Sequence, residues 1–365
     1  MPRAVFGFGE VRIRVDTEDD GHLRWLAEFL VPHFETTSDA EHDCAVTMVE
    51  DDDRYRDTLA RGPARGTADA FAFDTRVVRV ARWPSAAGEL RYHDATAAAF
   101  YEVADGGRSI RLLTATDNPG RRKALMRVVR EIATNRAQSR GGLLLHAAGL
   151  TVGGRAILVA GAKGSGKTTL LVHCLRLGSA RYLANDRVMV ARDRPIVARG
   201  VPTIVALRAG TLALFPALAG RLERARYDSS RRLDEPPATS RPRQDKATIS
   251  PAQLCRLLGV APAAQAEIAA VVFPRITDEE PGLGLERLSE HEALARLITQ
   301  ALFGVTSSRS SSEVFSLAHD GAGPSVAERH DRCRELAARV PAFECRLGTK
   351  AYESAETAEA LVGRI

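Results

Sequence analysis

The residues best suited to chemistry lie between Arg155 and Asp186, in the stretch RAILVAGAKGSGKTTLLVHCLRLGSARYLAND. Within it, Gly161-Ala162-Lys163-Gly164-Ser165-Gly166-Lys167-Thr168 matches the pattern G-x-x-x-x-G-K-[ST] in full, the signature of a loop that cradles a triphosphate. Gly161, Gly164 and Gly166 let backbone N–H groups approach phosphate oxygens with no Cβ in the way. A helix opening near Lys167 adds the partial positive charge of its N-terminus. Lys167 is expected to reach the β- and γ-phosphates and the Thr168 hydroxyl to sit on Mg²⁺, with Thr169 closing the cradle. This spacing points to binding of ATP with Mg²⁺.

Two further residues could act on the bound phosphates. Arg181-Tyr182-Leu183-Ala184 reads as a strand that delivers Asn185-Asp186 at its tip. An acid at a strand end, one helix after the phosphate loop, is where a metal-binding or nucleophile-activating carboxylate is needed. The plainer alternative is that Asp186 caps a turn. His146 closes the apolar run Leu143-Leu144-Leu145 one strand ahead of the loop. It is either a structural histidine or a neighbour of the phosphates. A third region, Arg221 to Lys246, is rich in Arg, Pro and Ser and nearly empty of aliphatics. It reads as a mobile loop, either solvated or able to clamp phosphate or an acidic peptide, with Lys246 its best single candidate.

The elements that must position these groups follow from periodicity. Ala156-Ile157-Leu158-Val159-Ala160 reads as a buried strand, and the residues after the loop as a packed helix ending near Leu177-Gly178. Residues 1–118 form a separate strand-rich module, with alternation in Val11-Arg12-Ile13-Arg14-Val15, Ala45-Val46-Thr47-Met48-Val49 and Arg76-Val77-Val78-Arg79-Val80 and one helix over His22 to Phe34. Its expected roles are packing, contacts in a homo-oligomer, or substrate recognition. From Pro119 to Ser139, Leu125, Val128, Val129 and Ile132 mark a helix that opens a second domain, 119–365. Helices over His291 to Phe303 and Val326 to Arg339, a strand at Ala342 to Leu347 and a short final helix complete it. The expected class is mixed α/β (α+β).

Bulk properties exclude several functions. The 365 residues contain 45% hydrophobic and 27% charged residues, as an ordinary globular chain does. The net charge of +5 is dispersed and aromatics are only 5%, which argues against a nucleic-acid surface. Five cysteines with no C-x-x-C pair predict reduced, buried thiols. No apolar run is long enough to span a bilayer, and the first residues turn charged too soon for a signal peptide, so a cytoplasmic location is expected.

His146 with its Ala pair, a strand, the phosphate loop, a helix ending in Gly178, and then Tyr182-Leu183-Ala184-Asn185-Asp186 together resemble the HPr serine kinase/phosphorylase family. The specific resemblance covers about residues 143–190, and a looser one runs from Gly200-Val201-Pro202 to Val340-Pro341. It implies a domain similar to the nucleotide-binding part of phosphoenolpyruvate carboxykinase, with a histidine and an acidic pair around the transferred phosphate. The order of parts is similar to HPr-kinase-like proteins found beside peptide natural-product genes. The implied activity is transfer of the γ-phosphoryl group of ATP to a hydroxyl of a peptide Ser/Thr or a small metabolite. Asp186 and Lys167 would act on the reacting phosphate, His146 behind them, and Thr168 and Asp186 on the metal. The family's acidic pair is usually Asp-Asp, and here its first member is Asn185. That departure keeps open a nucleotide-binding regulatory or scaffold protein with little turnover. An ATPase that couples hydrolysis to motion is the remaining alternative.

Overall fold

The computed structural model describes residues 1–37, 41–61, 68–73, 76–84, 90–192, 195–236, 246–277, 282–302, 309–310 and 324–365. These fall into two compact units, Met1–Arg140 with Gly304–Ser325 and Gly141–Phe303 with Val326–Ile365. The expected mixed α/β class is observed in both. The division lies at Arg140/Gly141 rather than at 118/119. Leu125, Val128, Val129 and Ile132 form the fully buried face of the helix Arg121–Ser139, and that face packs on strands of the first unit.

In the first unit, β1 (Arg3–Phe8) and β2 (Val11–Asp16) form a hairpin, followed by α1 (Asp20–Leu30) and β3 (Glu35–Thr37). Helix α1 stops short of the expected Phe34, because Pro32 biases the residue before it to extended backbone. Next come β4 (Cys44–Glu50), α2 (Asp52–Ala60), the meander β5 (Ala68–Phe73), β6 (Arg76–Pro84), β7 (Leu90–Asp94), β8 (Ala99–Ala104), β9 (Ser109–Thr114), and α3 (Arg121–Ser139). The sheet order is β5-β6-β7-β8-β9-β4-β2-β1-β3, with β4 parallel to both of its neighbours. Val11, Ile13 and Val15 point inward, as their alternation requires.

The second unit runs through β10 (Leu143–Leu145), β11 (Ala147–Val152), β12 (Arg155–Ala160), α4 (Lys167–Cys174), β13 (Arg181–Ala184), β14 (Arg187–Val190) and β15 (Val197–Val201). It continues with β16 (Val205–Arg208), α5 (Ala209–Leu214), α6 (Pro216–Ala225), β17 (Lys246–Ile249), α7 (Pro251–Leu258), β18 (Gln265–Ile276), β19 (Leu283–Arg287) and α8 (Glu290–Arg296), which passes into a π turn at Leu297–Ala301. The chain then adds β20 (Arg309–Ser310) beside β5 of the first unit and returns for α9 (Val326–Arg339), β21 (Ala342–Leu347) and α10 (Ala355–Gly363). Strand β12 is parallel to β18 and antiparallel to β11, while β18 is also parallel to β21. Both faces of this mixed sheet are covered. Ile157 and Val159 pack with Leu170, Leu171 and Cys174 of α4 on one side, and Ala156, Leu158 and Ala160 pack with residues of α8 and α9 on the other. Burial on both faces is why β12 reads as an unbroken apolar run.

The expected mobile loop of 221–246 is partly structured. Helix α6 extends to Ala225, and Arg226 ends it in a left-handed conformation (φ 49°). Gln253, already in the capping box of α7 with Ser250, donates its amide to the carbonyls of Asp228 (2.9 Å) and Arg231 (3.1 Å). Residues 237–245, the centre of that expected loop, lie outside the described residues. Lys246 is not in a loop: it opens β17.

Candidate active site

Strand register assembles the site. Runs 143–152 and 181–190 form an antiparallel ribbon whose halves pair as β10–β14 and β11–β13. The ladder is interrupted in the middle, at His146 on one run and at Asn185-Asp186 on the other. Beyond the break the two halves join different neighbours, β11 lying on β12 and β14 on β15. Both of those strands pair with β18, which sits at the centre of the path β10-β14-β15-β18-β12-β11-β13. The residues at the break are released from ladder pairing and turn toward each other. Because Ala147 is opposite Ala160, the break also lies beside Gly161, the first residue of the loop. The backbone of His146 is held there by its N–H bond to the Ala301 carbonyl, 2.6 Å, in the π turn.

Three loop glycines have left-handed or related backbone, Gly161 (φ 144°), Gly164 (88°) and Gly166 (99°). At two of them a side chain also has no room. A Cβ on Gly161 would lie 2.8 Å from Ser165 Oγ, and one on Gly166 would lie 2.8 Å from Ile276. The loop is therefore wrapped against the end of β18, and its tip, Ala162 to Gly164, is exposed. Helix α4 starts at Lys167, where the first N–H groups of a helix have no intrahelical acceptor. Lys167 is buried, and its Nζ donates to the carbonyls of Gly161 (2.7 Å) and Ala162 (3.0 Å). Burial pulls its pKa below the usual lysine range. Asp186 opposes that fall and Arg208 adds to it. Ser165 Oγ is buried with no hydrogen-bond partner, an orphan of the kind that a ligand oxygen satisfies.

Across the break, His146 Nε2 lies 3.3 Å from Asp186 Oδ1, with both side chains partly exposed. Burial lowers the pKa of His146, Asp186 raises it in part, and Lys167 and Arg187 lower it further. The net effect holds the imidazole toward its neutral form beside the carboxylate. His146, Lys167 and Asp186 belong to one electrostatic neighbourhood, as their positions in the sequence suggested.

Asn185 and Thr169 do not join it. Asn185 is buried, and its Oδ1 accepts from Tyr182 Oη (2.6 Å) and Thr203 Oγ1 (3.1 Å). Its amide reaches toward the Ile204 carbonyl at 3.4 Å. Asn185 therefore pins the turn that carries Asp186, with its polar atoms committed to these partners. Thr169 is likewise buried, sharing a 3.0 Å hydrogen bond with Thr211 of α5. Thr168, between Lys167 and Thr169, keeps partial exposure. Among the described residues no three His, Cys, Asp or Glu side chains converge as a metal cage. The remaining donor set, one carboxylate and one hydroxyl, suits Mg²⁺, which is usually bound by one or two carboxylates together with substrate phosphates.

Two cations near the site escaped sequence reasoning. Arg187 is buried at the start of β14. Arg208 ends β16, a strand not expected from the sequence, and is exposed. No spacing rule connects either to the loop; only the sheet and the Thr169–Thr211 bond bring them there. All five cysteines are free and buried, as expected, and no described helix is long and apolar enough to cross a membrane. No protein-family model matches the chain, and no curated protein is similar to it.

Proposed function

We propose that this protein is an ATP- and Mg²⁺-dependent phosphotransferase that moves the γ-phosphoryl group to a hydroxyl, of a peptide Ser or Thr or of a small metabolite. The observation that carries this reading is the His146–Asp186 pair, set at the break in the ribbon between β10–β14 and β11–β13, beside Gly161. A loop that only bound nucleotide would need no such pair. Gly161 to Thr168 would hold the triphosphate, with Lys167 exchanging its loop carbonyls for phosphate oxygens. Thr168 and Asp186 are the residues that would hold Mg²⁺, which when bound spreads the charge developing on the phosphates. In the transfer step the acceptor oxygen bonds to the γ-phosphorus, and the bond from that phosphorus to the β–γ bridging oxygen breaks. ADP leaves, and the hydroxyl proton passes to Asp186. His146, 3.3 Å from Oδ1, keeps that carboxylate in place. Catalysis of this kind rests on positioning and electrostatics, so a single carboxylate suffices.

Asn185 supports one competing reading. With its oxygen committed to Tyr182 and Thr203, the pocket retains a single acid, as a regulatory nucleotide-binding protein with little turnover would also have. Incubation with γ-labelled ATP and Mg²⁺ separates the two. Label on a hydroxyl acceptor, reduced on the order of 10³-fold in Lys167→Ala and lost in Asp186→Asn, is expected for the kinase. Nucleotide binding without transfer, and with Asp186→Asn changing only metal affinity, establishes the regulatory protein instead. Release of inorganic phosphate alone at an appreciable rate points to an ATPase.

A further inference from the structure

Arg208 and Lys246 face each other directly across the antiparallel pair β16–β17. Like charges placed opposite one another in a sheet are destabilising, and such pairs usually have an acid nearby. Here, among the described residues, neither side chain has an ion-pair or hydrogen-bond partner, and Arg208, although it is the N-cap of α5, makes no side-chain cap bond. The end of β16 is also tied to the phosphate loop. Helix α5 starts immediately after Arg208, and its Thr211 bonds to Thr169, two residues beyond Lys167 in the first turn of α4. Arg208 is close enough that its charge acts on Lys167.

The charges around the loop point the same way. Among the described residues, Lys163, Lys167, Arg208 and Lys246 stand against Asp186, the acid that acts on both His146 and Lys167. A Mg²⁺-bound triphosphate brings a net charge of about −2. Positive charge is left over after the nucleotide is bound, and it lies on the side where β16 and β17 end. Two cations one strand apart match the two oxygens of a carboxylate or phosphate.

We infer that Arg208 and Lys246 form an anion subsite beside the phosphate loop, which holds a carboxylate or phosphate carried by the acceptor close to the hydroxyl that is phosphorylated. This rests on the kinase reading for the word acceptor, but the subsite can be tested by binding alone. The shared chemistry has two sources, an acidic residue next to a Ser or Thr in a peptide and the phosphate of a small phosphorylated alcohol.

The test uses the full chain saturated with Mg²⁺ and a non-hydrolysable ATP analogue, whose affinity is measured first. The probes are a fluorescent Glu-Ser-Glu peptide with its Gln-Ser-Gln match, and glycerol 3-phosphate with glycerol. The wild type is expected to bind at least one anionic probe more than tenfold tighter than its neutral match. That preference should disappear in Arg208→Gln/Lys246→Gln and reverse, toward a Lys-Ser-Lys peptide, in Arg208→Glu/Lys246→Glu. Analogue affinity in these variants should stay within a few-fold of wild type, which also shows that they are folded. Whichever probe binds identifies the source of the anion. The subsite is overturned if neither anionic probe is preferred, or if the preference survives charge reversal. Failure of the wild type to bind the ATP analogue would overturn the kinase reading alone, and the probe preference would still decide the subsite.

Discussion

The two units of this protein handle charge in opposite ways. The first buries Asp16, Asp94, Glu102 and Glu131, and each has an arginine within 3.1 Å: Arg3 and Arg14, Arg127, Arg54 and Arg111, and Arg130 respectively. His22 and Arg121 bracket Glu50 in the same manner, at 2.8 and 2.6 Å. The second unit buries Lys167 and Arg187 and, among the described residues, no acid at all. Among the described residues, its most basic region has one partly exposed carboxylate, Asp186, and two cross-strand cations with no acid paired to them. A buried charge that is already paired is part of the scaffold, because removing its partner is costly. A cluster of like charges held near one another is incomplete without a ligand of opposite sign.

The contrast is tested most severely in the first unit. Asp94 is fully buried, bonds Arg127 at 3.0 Å and accepts from the N–H groups of Thr96 and Ala97. Asp94→Ala is expected to destabilise that unit by about 3 kcal/mol and to leave nucleotide affinity unchanged. Both tryptophans, Trp25 and Trp83, belong to the first unit, so urea unfolding followed by tryptophan fluorescence reads this unit directly. A loss of nucleotide binding with no loss of stability would break the comparison.

The next effect sharpens it within the second unit, where not every titratable group serves the site. His173 is fully buried against Phe215 and Tyr352, with both ring nitrogens unpaired. Burial, reinforced by Arg176, pushes its pKa down to about 4 from 6.5. The folded state thus holds fewer protons than the unfolded state between these values, and stability must fall as pH drops through that window. The loss amounts to roughly 3 kcal/mol. His173→Leu should abolish this part of the acid sensitivity, seen as equal hydrogen-exchange protection of α4 at pH 7 and pH 4.5. An unchanged acid dependence in the variant would show that the sensitivity originates elsewhere, with His146 the next group to examine.

The smallest effect bears on the unpaired cations. Removing one of two opposed like charges should relieve repulsion, so Arg208→Thr is expected to raise the stability of the second unit by ~0.5 kcal/mol while weakening anion binding. Calorimetric melts at low and high salt check this. The gain should shrink as salt screens the repulsion, and a salt-independent loss of stability would show that Arg208 has a structural partner after all.

Local chemistry was legible in the residues themselves. The phosphate-loop pattern, the apolar run of β12 and the alternation of β2 depend on backbone freedom and side-chain period, which a sequence displays directly. So too was the acid after the next strand, since Asp186 needs only a strand to carry it. The roles of Asn185, Arg208 and the end of α3 were not legible, because each is decided by partners distant in the chain. Asn185 looks like half of an acidic pair until Thr203 and Tyr182 claim its oxygen. Arg208 is one of many arginines until β17 sets Lys246 against it and Thr211 ties it to α4. Helix α3 belongs to the first unit because that is where its apolar face is buried. Sequence by itself determined which groups could meet a phosphate. Only the tertiary structure decided which of them lie together, since burial and pairing are properties of neighbours and the chain order does not contain them.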